Sequence, residues 1–510
     1  MHLKTALYLA IQRHPDQKAV IEGDKEYTYT QWGERIYRIA NSLRRIGVKK
    51  GDKIAIALKN HEQTVTAMMA IQIIGGIAVM CNPKSISDRI KYFLKNSDAK
   101  GIIFEKDTAK VASSALKNSP KCRLHISIDT DDLTIDNTIL FEKLVEDGNS
   151  EEPESQVKED DVGIIIYTSG TTGEPKGVPI THKMTFHRAI ANAISAGINK
   201  EDNHKVIGLM PLFHTIGIHG SFIFSILYDG TYFPVADFIP DDVISLIKKE
   251  KITHVFASPT HYHMILSSEK WEKESGECIK YAMYAGAPME TSLIEKCCKE
   301  ITENLVHIYG SSEMYLMGCL QNCKKYPGAI KKTLFQNIRV IKFMGNPEDT
   351  VKYGEEGEVI ADLRSPEAFS GYLNYKKTKT EKACKNGWFY TGDIARLERG
   401  PLIYVSGRSD DMIISGAENI HPAEVEDVLL MHPDVSEAAV IGVPDERWGE
   451  IVMAFIVSPK DSLKVEELDE FFKKNQKIEN WKRPKKYRFV QTLPKNESGK
   501  LQRFILREMK

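Results

Sequence analysis

Tyr167 to Gly177 read YTSGTTGEPKG, which crowds three glycines and three threonines beside one lysine and one proline. Glycines let backbone N–H groups approach an anion, and Ser169, Thr171 and Thr172 add hydroxyl donors. Lys176 adds a mobile positive charge. Such a run suits the binding of phosphate; the alternative is a glycine-rich turn after a buried strand. It is not a Walker loop, because Gly170 is followed by TTG and Lys176 by Gly177 where the motif needs Ser or Thr. No GxGxxG follows a strand either, which removes the dinucleotide fingerprint. His219, His261 and His263 invite a metal reading, yet no HExxH or Cys/His framework accompanies them, and only Cys319 and Cys323 are even loosely spaced as ligands.

Strands and helices must hold this loop. VGIII, just ahead of it, is a short all-apolar run of the kind that a strand buried on both faces requires. Upstream, Thr30 is expected to cap a helix through QWGERIYRIANSLRRI, with Gly47 as a left-handed stop. KIAIAL and IAVMCNP read as strands, and EQTVTAMMAIQIIGG between them as an amphipathic helix. The alternation predicts parallel sheets covered by helices. An acidic segment, EDGNSEEPESQVKEDD, reads as a solvated surface linker. Beyond Arg408 the texture changes to a compact α+β set. The fold class is therefore α/β, with a large multi-subdomain region of helix-covered sheets over 1–408 and a small mobile α+β domain over 409–510.

Composition limits the function. With 510 residues, 42% of them hydrophobic, several cores can be buried, and a prior of roughly 150 residues per domain gives about two to four folding units. Lys plus Arg number 69 against 70 Asp plus Glu, a net charge of -1 that offers no global attraction to nucleic acid or anionic membrane. No cleaved signal and no membrane span is expected, nor any CxxC among the eight cysteines. These features predict a soluble cytoplasmic protein with reduced, mostly buried thiols.

Six motifs in order then decide the reading: YTSGTTGEPKG, PLFHTIG (211–217), YGSSE (309–313), YTGD (390–393), GRSDDMIISGAENIHPAEVE (407–426) and PKNESGK (494–500). Together they resemble the adenylate-forming superfamily of acyl- and aryl-CoA synthetases, peptide-synthetase adenylation domains and luciferases. GLMPLFHTIG, DGTY, FASPTH, SGAENIHP and KRPKKY are most similar to the 4-chlorobenzoate-CoA ligase branch. The resemblance implies an AMP-forming acid–thiol ligase. A carboxylate and ATP give acyl-AMP and pyrophosphate, and CoA then gives the thioester and AMP. ATP, Mg²⁺ and coenzyme A are the implied cofactor and co-substrates.

Carried over residue by residue, Thr168, Ser169, Gly170, Thr171, Thr172, Gly173 and Lys176 would hold the β- and γ-phosphates. Glu313 matches the magnesium ligand, and Ser312, where threonine is commoner, keeps a hydroxyl for the α-phosphate beside Tyr309. Asp393 and Arg408 would reach the ribose. Lys500 matches the adenylation lysine, whose charge bridges carboxylate and α-phosphate as they meet. Asp410 matches the hinge about which the small domain rotates. Gly416 and Ala417 would line the pantetheine tunnel, with Ala417 standing where relatives have a second glycine. Trp448, Trp481, Arg483 and Lys485 would contact CoA, although ENWKRPKKYRF taken alone also suits nucleic acid or a solvated face.

His214 would gate or shape the acid pocket, the alternative being a satisfied core histidine. Peptide-synthetase domains place an aspartate after this motif, whereas this chain has His214, Thr215, Ile216 and Gly217, so a buried ammonium would stay unpaired. The acid is therefore expected to lack an amino group. Ala191, Thr215, Ile216, Phe256, Ile308, Gly310, Tyr315 and Leu316 are the expected walls, mostly apolar, as an aryl or medium-length acid would want. Ala191, Tyr315 and Leu316 differ from the chlorobenzoate branch, which argues against 4-chlorobenzoate itself. The competing readings are an enzyme that loads a carrier protein and a silent ATP- or acyl-AMP-binding regulator. Expected partners are small molecules only, with no nucleic acid, for a monomer or homodimer.

Overall fold

The computed structural model describes residues 1–510 except 130–134, 169–174, 375–379, 381–382, 416–417, 461, 476–477, 496–500 and 510, and leaves out the side chains of 410, 418 and 419. Among the described residues a first sheet runs Ile139–Leu140, Leu124–Ser127, Gly101–Phe104, Lys53–Ala57, Ile77–Met80, Val162–Thr168 and Lys176–Thr181. All its pairings are parallel but the last, where Thr168 lies opposite Lys176. The run VGIII is buried because helices cover this sheet, so no alternation of polar residues is tolerated.

The second sheet changes character along its width. From Lys18–Glu22 through Thr231–Pro234, Lys205–Gly208, His254–Ala257, Tyr281–Tyr284 and Leu305–Ser311 the strands are parallel. From Leu305–Ser311 onward, through Tyr315–Leu320, Ala329–Lys332, Ile403–Arg408, Trp388–Leu397, Glu356–Asp362 and Ile338–Ile341, they are antiparallel. The seam falls on the strand that carries the YGSSE motif.

A third, five-stranded sheet comes entirely from the C-terminal part: Glu418–Ile420, Ile413–Ser415, Gly449–Val457 and Glu437–Asp445, with Lys486–Phe489 parallel to Gly449–Val457. It closes over its own apolar core of Ile413, Val425, Leu429, Val440, Val452, Leu468 and Phe472. His421 ties it to the large sheet through a 2.7 Å bond to Glu356, which also accepts a bond from the Ser406 hydroxyl.

Three local expectations change. The helix Tyr29–Arg45 is capped by Thr28, not Thr30: Thr28 accepts from the Gln31 N–H while the Gln31 side chain accepts from the Thr28 N–H, and that reciprocal box fixes the start two residues earlier. Gly47 does take a positive φ of 97° after it. The helix Glu62–Ile73 is not amphipathic but buried on every side, its Glu62 held by Arg35 at 2.9 Å. The acidic segment after Asp147 keeps its side chains mostly in water, but its carbonyls are strapped down. Arg38, Asn41, Arg44 and Lys50 donate to Gly148, Asn149, Glu154 and Gln156.

All eight cysteines are free thiols, five of them buried. No described helix is long and apolar enough to cross a membrane.

Candidate active site

Three hairpins and one irregular connecting segment carry the polar residues of the candidate site. The hairpin Leu305–Ser311/Tyr315–Leu320 carries a register shift at Tyr309/Gly310, a bulge that re-aims the side chains beside it. Gly310 is required at this bulge, because a Cβ there would sit 1.6 Å from the Tyr315 carbonyl oxygen. The turn holds Ser312 partly exposed and buries Glu313.

Glu313 and Lys176, from different sheets, meet through a residue that no motif named. The Tyr372 hydroxyl donates to Glu313 Oε1 at 2.7 Å, and Lys176 Nζ lies 4.8 Å from the centre of the same ring. The backbone around Tyr372 makes the bridge rigid: Phe369 N–H bonds the Glu313 carbonyl and Leu373 N–H bonds the Gly177 carbonyl. The segment Phe369–Leu373 thus staples the loop-bearing hairpin to the glutamate turn. Thr168 ends its strand directly across from Lys176. Ser169, Gly170, Thr171, Thr172 and Gly173, the heart of the expected phosphate loop, lie outside the described residues, as do Gly416, Ala417 and Lys500.

A second polar set faces the ribose role. Asp393 pairs across the sheet with Arg408, whose Nη1 reaches Oδ1 at 2.8 Å. Tyr309 donates its hydroxyl to the other carboxylate oxygen at 2.6 Å. Burial, and then Asp393 itself, push the Tyr309 phenol upward, so it keeps its proton and stays a donor. Thr391 completes the set, accepting from the Asp393 N–H.

The expected acid walls share one large apolar core. Ala191, Phe256, Ile308, Tyr315 and Leu316 belong to one apolar cluster, and Ile216 packs against it. Thr215 and Ile216 open an eight-residue π-helix, Ile216–Ile223, a geometry that recurs at functional sites. His214 stands just ahead of it, half-buried and tilted on Phe213; desolvation lowers its imidazole to about 4, so it is neutral at pH 7.

Beneath these walls lies Arg188, fully buried in the helix His182–Ala196. It donates to the backbone carbonyls of Glu367 and Glu313 and to the Thr215 hydroxyl. Burial outweighs its attraction to Glu367 and lowers it to about 10, which still leaves it charged. The Glu367 carboxyl is driven the other way, up to about 8, chiefly by desolvation; its Oε2 accepts from Leu316 N–H. At neutral pH the carboxyl is therefore mostly protonated. Sequence reasoning missed Arg188, Glu367 and Tyr372. A lone arginine inside an Ala- and Ile-rich helix was a usable signal; nothing in FSGYL marked the tyrosine.

The proposed CoA contacts stand apart on the small domain. Trp448 and Trp481 are nearly half exposed, each with a neighbouring cation over its ring, and Lys485 is exposed. Arg483 is partly buried in an ion pair with Asp469 at 2.9 Å. Asp410 lies in a single turn, Ser409–Asp411, directly after the Arg408 strand. Among the described residues no cluster of three or more His, Cys, Asp or Glu could hold a metal. His261 caps its own helix by bonding Ser258 at 2.7 Å. A magnesium ion that arrives with ATP needs one protein carboxylate, with phosphate oxygens and water as its other ligands, and Glu313 fits that need.

Comparison with known proteins agrees with this geometry. The model of the AMP-binding enzyme family matches residues 7–373, and that of the AMP-binding enzyme C-terminal domain matches 424–500. A 4-chlorobenzoate–CoA ligase of an Arthrobacter species is 30% identical over 99% of this chain and 95% of its own. A 2-succinylbenzoate–CoA ligase of Bacillus licheniformis is 32% identical over 96% and 97%. The solved o-succinylbenzoate CoA synthetase of Bacillus subtilis, in complex with its acyl-adenylate intermediate, superposes with a TM-score of 0.85 at 28% identity, covering 98% of this chain and 97% of that one.

Proposed function

The chain belongs to the AMP-binding enzyme family and is an AMP-forming acid–thiol ligase that uses ATP, Mg²⁺ and CoA; from that premise we propose that its acid is an aryl or medium-length carboxylate without an amino group. The observation that supports this reading is the apolar wall of Ala191, Phe256, Ile308 and Leu316 next to Thr215, with no acidic side chain among the expected wall residues. A substrate ammonium would meet the buried Arg188 and no counter-charge, which costs several kcal/mol, of order 3–5.

The residues then divide the work. In the first step a carboxylate oxygen of the acid bonds to the α-phosphorus as the bond to the bridging oxygen breaks, and pyrophosphate leaves. Lys176, Thr168 and the loop 169–173 hold the departing phosphates. Glu313, steadied by Tyr372, is the carboxylate that would hold magnesium, which supplies charge neutralisation to the phosphates. Ser312 takes the α-phosphate. Asp393, held between Tyr309 and Arg408, accepts the ribose hydroxyls. Lys500 offsets the repulsion between the two anions as they close. In the second step the thiol sulfur bonds to the acyl carbonyl carbon and AMP leaves.

Between the steps the domain 409–510 rotates on Asp410 against 1–408, exchanging Lys500 for the tunnel of Gly416 and Ala417. Rotation must break the His421–Glu356 contact, a single bond at a part-buried site. Trp448, Trp481, Arg483 and Lys485 face the CoA nucleotide. A neutral His214 shapes the mouth of the acid pocket without adding charge. The same reading places the enzyme in the cytoplasm as a monomer or homodimer with small-molecule partners.

The test is pyrophosphate release over benzoates, cinnamates and C4–C12 acids, with and without CoA. Turnover that rises with free CoA is expected for at least one of these acids. Release that responds only to a phosphopantetheinyl carrier protein would move the acceptor from CoA to a carrier, and silence with every acid would leave a binding protein.

A further inference from the structure

The acid pocket contains polar atoms that its own fold does not satisfy. Tyr315 has φ of 59°, a left-handed conformation that is an outlier for a bulky residue, at the point where the hairpin turn closes on Ser311. Its ring is 4% exposed, yet its hydroxyl has no partner among the described residues. His219, fully buried, stands edge-on to it, with ring centres 5.4 Å apart. His219 Nδ1 lies 2.9 Å from both the hydroxyl and the carbonyl oxygen of Thr215; the carbonyl has no proton to give and the hydroxyl can accept, so we assign the proton to Nδ1, which donates to Thr215. Nε2 is then a bare acceptor, and it too has no partner among the described residues. Burial and the nearby Arg188 keep the ring neutral.

Natural cores rarely keep such orphans, and they call for a ligand or water as partner. The place of the pair favours a ligand. Gly220, next to His219, would with a Cβ sit 2.5 Å from the Phe256 ring and 3.3 Å from the Tyr315 hydroxyl oxygen, so the phenol, the π-helix and the Phe256 wall converge. Tyr315 is two residues from Glu313 on the same turn, and Thr215 is next to His214. The orphan pair therefore lies within the expected acid walls.

We propose that Tyr315 and His219 are specificity-determining residues that read a hydroxyl group on the acid. Tyr315 donates to the hydroxyl oxygen, and the hydroxyl proton is donated to His219 Nε2. A hydroxyl is both acceptor and donor, and satisfies both orphans. A halogen, methyl or hydrogen satisfies neither, and a carboxylate offers no proton to Nε2. The inference rests on the acid-pocket reading above and narrows it to hydroxy-substituted acids.

The experiment measures kcat/KM for pyrophosphate release by the full chain on matched pairs: 4-hydroxybenzoate with benzoate and 4-chlorobenzoate, 4-hydroxycinnamate with cinnamate, and 8-hydroxyoctanoate with octanoate, plus terephthalate. Within the scaffold turned over fastest, the hydroxy acid is expected to lead its unsubstituted partner by at least about 100-fold, as sites built to bond a hydroxyl reject analogues lacking it. In Tyr315→Phe that ratio is expected to fall at least about tenfold, and more in kcat/KM than in KM for ATP. The wild-type ratio alone decides the matter if the variant does not fold. Turnover with no hydroxy preference, or with 4-chlorobenzoate or terephthalate ahead, overturns this inference and leaves the ligase intact. No turnover with any acid overturns both.

Discussion

The phosphate and ribose end of the site and its acid end are built on opposite plans. At the first, the charged groups are already engaged: Glu313 with Tyr372, Tyr372 with Lys176, Asp393 with both Tyr309 and Arg408. At the second, the Tyr315 hydroxyl and His219 Nε2 are buried and unmet among the described residues. Each such group costs about 1–3 kcal/mol while it stays unsatisfied. On the function proposed above, the preassembled end takes ATP, which is the same in every turnover, so its dipoles would need no reorganisation at the moment of reaction. The incomplete end is finished by the acid, and a wrong acid leaves it incomplete.

The largest effect expected at the proposed phosphate end is that of Lys500→Ala. Acyl-AMP formation is expected to fall by at least about 100-fold, while thioester formation from supplied acyl-AMP persists. Equal loss in both half-reactions would remove Lys500 from the adenylation step.

Tyr372→Phe asks whether the bridge between sheets matters. Loss of one hydrogen bond to a carboxylate, about 1.5–3 kcal/mol, should lower pyrophosphate release by about tenfold or more and raise the magnesium concentration needed for half-maximal rate. An unchanged magnesium dependence would show that Glu313 needs no support.

Glu367 sharpens the acid end through stability. Burial raises its carboxyl to about 8, so the folded chain keeps a proton that the unfolded chain releases above its ordinary value near 4.5. That contribution is whole below pH 4.5 and is lost as the pH climbs through 8. Glu367→Gln should therefore gain on the wild type between pH 5 and pH 9, by about 2–4 °C in melting temperature. Parallel melting curves across that range would show that Glu367 is not protonated in the fold.

The smallest effect belongs to the exposed CoA face. Lys485→Ala should raise KM for CoA about threefold, more at low salt, with KM for ATP unmoved. A matching change in both would place Lys485 outside the CoA contact.

The order of motifs in the chain was sufficient to announce the family, because phosphate, ribose and carboxylate chemistry require particular side chains at short spacing. The elements were also legible where periodicity or a buried run imposed them, as at VGIII and at the strand over 53–57. What remained unreadable were relations between distant residues. Thr28 took the cap from Thr30 because the Gln31 side chain could reciprocate. The helix Glu62–Ile73 lost its polar face because Arg35 came from another helix to neutralise Glu62. Tyr372 reached Glu313 only because the irregular segment Phe369–Leu373 crosses between two sheets, and Tyr315 met His219 only because a hairpin turn and a helix from elsewhere in the chain pack together. By itself, then, the sequence determined the chemistry that this chain performs on ATP. Tertiary structure decided which buried groups among the described residues are left without a partner, since whether a hydroxyl or an imidazole is satisfied depends on neighbours that local spacing does not specify.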